Sequence, residues 1–289
     1  MGQELIKRTT RSITPMWSAD VMLNESELVQ ALHLEFIQSG ANAIILNTYT
    51  ATPQRLVRDA TIDLLKPLHQ AAKKAATEAI SQSGKSDVKI VGCLPPLVAS
   101  YRSEVSPDFE QCLNTYRQLV ELQQDVCDIF VCETMSSITE ATAACLAAKQ
   151  SGKSVWVSFS VDDKTPSLLR GSEPLTRAVE VLTELEPQAL LLNCSRPEAI
   201  SEAIPTLKSN TRVFGAYANG FTSVDTLYPG STVETLTMRK DFTPAQYAQF
   251  CLSWANQGAR IIGGCCEVSP AHIRCVKETL QDAGFGVWN

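Results

Sequence analysis

Seven short apolar runs punctuate the chain, each separated from the next by a longer segment of helical character. They are Asn42–Thr48, Val88–Leu94, Cys127–Glu133, Ser154–Phe159, Ala189–Cys194, Arg212–Ala218 and Ala259–Cys265. None alternates polar and apolar residues. A strand that is apolar on both faces must be covered on both, which points to parallel strands joined by helical crossovers. Seven such units without a break in composition predict one domain over residues 1–289, of the (β/α)8 TIM-barrel type rather than an open sheet. A closed barrel needs an eighth strand, and residues 1–23 offer none.

The intervening segments carry helix punctuation. Asn24-Glu25-Ser26-Glu27 and Ser137-Ile138-Thr139-Glu140 have the spacing of capping boxes, and Thr243-Pro244-Ala245-Gln246 adds proline at the first helical position. Gly152, Gly258 and Gly284 stand where helices should stop. Tyr247, Phe250, Cys251 and Trp254 form one apolar helical face, read as core. The longest irregular stretch, from about Asn219 to Asp241, follows a strand and is expected on the catalytic face of a barrel.

Net charge bounds the partners. At −6 the chain would repel nucleic-acid phosphates and anionic membranes. No apolar run reaches the roughly 20 residues that span a bilayer, and the first residues lack the apolar stretch of a signal peptide. The expected setting is cytoplasmic, the expected partners are small molecules, and a homo-oligomer is compatible with this reading. In a reducing compartment the ten cysteines are packed thiols, ligands or nucleophiles rather than a disulfide framework. Cys112, Cys145, Cys251 and Cys275 lie in helical segments and read as packing.

Three features fall at strand C-termini, where a barrel brings them to one rim: Cys132-Glu133-Thr134, Asn193-Cys194 and Gly263-Gly264-Cys265-Cys266. Successive strand side chains point to opposite faces, so adjacent cysteines cannot both enter the core. A turn at the glycines would aim both thiols at one point, and a third thiol would complete a soft, three-sulfur site with one open position, the pattern of catalytic zinc. A packed or redox-active vicinal pair is the alternative that the residues alone leave open. His33 and His69 read as helix packing, His272 as local structure in the last helix, and Asp162-Asp163 as a solvated loop.

The segment Gly263-Gly264-Cys265-Cys266-Glu267-Val268-Ser269-Pro270-Ala271-His272-Ile273 resembles the C-terminal signature of homocysteine S-methyltransferases. Trp17-Ser18-Ala19, Asn47-Thr48-Tyr49-Thr50-Ala51, Leu94-Pro95-Pro96, Glu133-Thr134, Asn193-Cys194 and Tyr217-Ala218-Asn219 resemble further family segments in the same order. The resemblance implies a (β/α)8 barrel whose Cys194, Cys265 and Cys266 bind zinc, with homocysteine's sulfur on the metal and its ammonium on Glu133. Asn47, Thr48, Asn193, Tyr217 and Asn219 are the further substrate-binding candidates. Trp17, Tyr49 and Tyr217 are candidates for an aromatic surface facing a cationic methyl donor, either S-methylmethionine or S-adenosylmethionine. The alternative is a catalytically silent zinc- or thiol-binding barrel.

Two departures stand out. Glu267 occupies a position where the family most often has glycine, and a positive φ there would strain it. Met1-Gly2-Gln3-Glu4-Leu5 resembles the downstream half of the family's Asp-Gly-Gly-type motif, so the first strand and its Asp are expected to be missing. Either a mis-set start codon or a barrel with an open seam would account for that.

Overall fold

The computed structural model describes residues 1–286. All seven expected strands form: β1 (Ala43–Ile45), β2 (Lys89–Leu94), β3 (Ile129–Met135), β4 (Ser154–Phe159), β5 (Ala189–Asn193), β6 (Phe214–Tyr217) and β7 (Ile261–Ile262). They are parallel and adjacent in sequence order. The helices are α1 (Gly2–Arg8), α2 (Ser18–Asn24), α3 (Ser26–Gln38), α4 (Pro53–Asp59), α5 (Leu65–Ser83), α6 (Phe109–Gln123), α7 (Ile138–Lys149), α8 (Leu175–Thr183), α9 (Pro197–Asn210), α10 (Pro244–Gln257) and α11 (Pro270–Asp282).

Two apolar layers explain the unbroken runs. Leu94, Phe130, Cys132, Val157, Leu190 and Leu192 face outward into a large shared core with the helices. Val91, Ile129 and Val131, with Ile45 and Trp156 beside them, fill the inside of the curled sheet. Ala189, Leu191 and Tyr217 form a second inner group. Opposite faces of one strand thus bury apolar side chains in different cores, as a barrel wall requires.

Among the described residues β1 pairs only with β2, and β7 only with β6. The wall is therefore a seven-stranded arc with a gap between β1 and β7, and residues 2–8 form α1 rather than a strand. The gap opens onto α3 and α11, where His33, Phe36, Lys277 and Leu280 line it.

Helix ends follow local chemistry, with one correction. Thr243 and Gln246 form the full capping box of α10, and Gly258 (φ 107°) ends that helix. At Ser137 only half the box exists: its hydroxyl accepts from the Glu140 backbone. Glu140's carboxylate instead accepts from Leu97 N, Ser106 Oγ and Tyr116 Oη, tying the β2–α6 rim loop to α6 and α7. Asn24 does not cap α3. It ends α2, its amide donating back to the Asp20 carbonyl, because α2 runs up to α3 with only Glu25 between them.

The core residues behave as their patterns suggest. Cys112, Cys145 and Cys251 are fully buried, and Cys275 packs partly buried against the core. His33 is buried with neither ring nitrogen hydrogen-bonded, and burial drives its pKa down to about 3, so it stays neutral. His69 Nδ1 meets the Leu65 carbonyl.

Candidate active site

The three cysteines converge. Cys194 follows β5 directly, and its φ of 50° turns it out of the strand line. Its amide donates to Tyr217 O, and its carbonyl accepts from Asn219 Nδ2 at 2.8 Å, so the end of β6 fixes it from both sides. The tandem pair hangs on the same support: Cys265 N donates to Ala218 O, and Gly220 N donates to Cys266 O. Gly264 allows the turn, since a Cβ there would meet Val268 at 2.1 Å. The sulfurs of Cys194, Cys265 and Cys266 all lie within 4.8 Å of one another. Those of Cys194 and Cys265 are joined as a disulfide, with their Cα atoms 5.8 Å apart. Burial pushes the Cys266 thiol up to about 12, so on its own it stays protonated.

The sulfurs border a cavity of about 970 Å³ that runs from the rim into the gap between β1 and β7. Glu133 enters it from β3, whose register with β4 breaks between Cys132 and Met135. Cys132 faces the outer core, so of that rim segment only Glu133 reaches the inside. Glu133 is 6% exposed, and its carboxylate accepts from Cys93 Sγ at 2.9 Å; burial raises its pKa to about 7. Trp17 and Tyr49 meet edge to face at 6.0 Å on the wall. Tyr217 lines the cavity too, its hydroxyl buried without a hydrogen-bond partner. Asn47 is fixed beside them by Ser18, which donates to Asn47 Oδ1 at 2.9 Å.

Three of the substrate-binding candidates, Thr48, Asn193 and Asn219, make their bonds within the scaffold. Thr48 is buried with its hydroxyl on Gln123 Oε1. Asn193 is wholly buried: its Oδ1 accepts from Thr134 N and Ser158 Oγ, and its Nδ2 donates to Thr134 Oγ1. Asn219 holds Cys194 and the Phe221 amide. Each of these side chains links separate segments of the scaffold, and none of the three lines the cavity. His272 is likewise spent, on Ser269 and the Phe242 carbonyl, away from the sulfurs. Asp163 is not a solvated loop residue: Arg170 and the Arg196 amide hold it.

Several rim residues have strained backbones. Trp17, Tyr101, Thr134, Cys194 and Glu267 all have positive φ, and Glu267 at 67° meets the expected strain directly. Such conformations cost on the order of 1–3 kcal/mol each and persist where surrounding contacts enforce them. Glu267 is held by Gln3 Nε2 at 2.9 Å and Lys7 Nζ at 2.5 Å. The long irregular loop closes the same side: Phe221 bridges Met238, and Arg102 clamps it through the Leu227 carbonyl and the Tyr228 ring at 4.1 Å. Arg55 and Tyr101, which line the cavity, and Cys93, which supports Glu133 from behind it, went unremarked in the sequence, where nothing marks a lone arginine, tyrosine or cysteine for such a place.

Comparison with known proteins gives matches over nearly the whole chain. A homocysteine S-methyltransferase from Escherichia coli (strain K12) is 28% identical over 96% of this chain and 92% of its own length. One from Bacillus subtilis (strain 168), YbgG, is 24% identical over 95% and 90% respectively. The solved homocysteine methyltransferase MmuM from Escherichia coli superimposes in its metallated form with a TM-score of 0.79 at 25% identity, covering 96% of this chain and 93% of that one. Its oxidized form matches equally well, with a TM-score of 0.79 at 26% identity. The homocysteine S-methyltransferase family's sequence pattern matches residues 1–280, and with that span the chain belongs to the homocysteine S-methyltransferase family.

Proposed function

We propose that this protein transfers a methyl group from a small sulfonium donor to the thiol of homocysteine, yielding methionine, with zinc held by Cys194, Cys265 and Cys266. The observation that carries the reading is the meeting of three soft sulfur donors, distant in sequence, at the edge of a cavity that also holds a buried carboxylate. The donor set fits the metal: three thiolates suit zinc, and the cavity side leaves a position for a fourth ligand. The Cys194–Cys265 bond must be reduced before those two sulfurs can ligate. Such an ion supplies one piece of chemistry, the conversion of a bound thiol to a nucleophilic thiolate.

The protein's own groups would do the rest. Glu133 would take the homocysteine ammonium, an ion pair strengthened by its burial. Trp17, Tyr49 and Tyr217 would present aromatic faces to the cationic donor. As the new sulfur–carbon bond forms, the donor's sulfur–methyl bond breaks and the donor departs as a neutral thioether, so the positive charge at the wall disappears with the reaction. No general base is required at that step. A reducing, cytoplasmic setting fits a site that needs free thiols.

The test is metal analysis of reduced protein, with a methionine-formation assay over a panel of donors. Roughly one zinc per chain, lost in Cys265→Ser together with homocysteine-dependent turnover, supports the enzyme. Zinc bound without turnover of any donor would mean a silent metal-binding barrel instead.

A further inference from the structure

Arg55 is a charged residue that the reading so far leaves unused. It stands in the first turn of α4, its amide donating to the N-cap hydroxyl of Thr52, and only 8% of the residue is exposed. Its side chain donates to the Pro96 carbonyl from Nε (3.3 Å) and Nη2 (3.0 Å), and Nη2 reaches Ser100 Oγ at 3.4 Å. Its guanidinium carbon lies 5.4 Å from the centre of the Tyr49 ring. Among the described residues no carboxylate lies within ion-pair range of it. Asp59, on the same helix, is paired with Arg58. Glu140 is committed to Leu97, Ser106 and Tyr116. Burial lowers the Arg55 pKa overall, with Tyr49, Glu140 and Asp59 only partly opposing it. A buried cation without a counter-charge is costly, and proteins tolerate one mainly where a ligand completes it.

That cation borders the same cavity as the sulfurs, Glu133, Trp17 and Tyr49. We infer that Arg55 is the specificity residue of the donor subsite, holding the donor's α-carboxylate. The inference rests on the proposed methyl transfer and deepens it. Tyr49 links the two ends: its ring meets Trp17 on one side and the guanidinium on another. In a methionine-type donor a few bonds separate the sulfonium from the carboxylate, so one molecule can place its cation on the aromatic wall and its anion on Arg55. Homocysteine's own ammonium is provided for by Glu133, and its sulfur by the cysteines.

The experiment compares S-methylmethionine with its decarboxylated counterpart, (3-aminopropyl)dimethylsulfonium, on wild type, Arg55→Gln and Arg55→Lys. In wild type kcat/KM should favour the carboxylate-bearing donor by ~10- to 100-fold, the worth of a charge-assisted contact. Arg55→Gln should erase that preference by slowing S-methylmethionine alone, while KM for homocysteine moves less than about twofold. Arg55→Lys should recover part of the preference, and it serves in place of Arg55→Gln if that variant does not fold. An unchanged preference in the variants, or a rise in homocysteine KM instead, would overturn the assignment. Calorimetric binding of the two sulfoniums to wild type and variants gives a second reading. If wild type turns over neither donor, the methyl-transfer reading fails, and the binding preference and its loss in the variants still decide the role of Arg55. Equal binding of both sulfoniums by wild type, or binding of neither, rejects it.

Discussion

Lys7 Nζ lies 2.5 Å from Glu267 Oε2, joining the first helix to the residue that follows the tandem cysteines. Gln3 adds a second link: its Nε2 donates to Glu267 and its Oε1 accepts from Trp17 Nε1 at 2.9 Å. One carboxylate, on a backbone turned to φ 67°, thereby connects the loop of the tandem cysteines with the aromatic wall.

Glu267→Gln keeps the side-chain volume and the strained backbone but weakens both bonds. It should cost about 1–2 kcal/mol, a charge-assisted contact discounted for the half-exposed Lys7. Glu267→Gly loses the same contacts yet relieves the left-handed strain, so it should fall nearer to wild type. Chemical denaturation of the pair measures this, and a glycine variant clearly less stable than the glutamine one would contradict it.

Acidity should weaken homocysteine binding. Burial raises Glu133 to about 7, against a smaller opposing effect of its bond from Cys93. Below that pH the group is increasingly protonated and neutral, and its attraction for an ammonium is lost. The kcat/KM for homocysteine should therefore fall as pH drops below about 7. Glu133→Gln should flatten that limb and lower kcat/KM by ~10- to 100-fold at neutral pH. A pH profile unchanged by the substitution would reject the assignment of the limb to Glu133.

Metal content should follow the redox state. Protein treated with a disulfide reductant should take up zinc, whereas protein oxidised at Cys194 and Cys265 should not, because only one of the three sulfurs stays free. Chelation of the loaded protein should lower its thermal midpoint, since an ion that binds only the folded state stabilises it by mass action. Equal zinc uptake by oxidised and reduced protein would remove the cysteines from the ligand set.

Glu140 should prove structural. Replacing it by alanine leaves the Leu97 amide and the Tyr116 hydroxyl without one partner each in a buried setting. The cost should be about 2–4 kcal/mol, from two or three lost bonds and the unmet donors. Unfolding curves that match wild type would show that water replaces the carboxylate.

Much of the architecture was legible in the chain. The seven runs appear as seven parallel strands, because a segment apolar on both faces is buried only when inner core and helices cover it together. While β3 and β4 keep their full length, five of the strands are shorter than their runs, most of all β7, where two residues stand for an expected seven. There the glycine pair and an unpaired edge end the ladder early. The meeting of the three thiols was legible too, since all stand at strand C-termini, which a barrel gathers at one rim.

What the amino-acid order could not supply was the division of labour around the cavity. Asn193, Thr48 and Asn219 sit in motifs identical in kind to those of Glu133 and Tyr217, yet they bond within the scaffold and do not line the cavity. Arg55 carries no motif and still faces the site. A side chain's type and place in the sequence fix what it can bond; only the folded chain, by bringing or withholding partners from distant segments, decides whether that capacity is already used or left for a ligand.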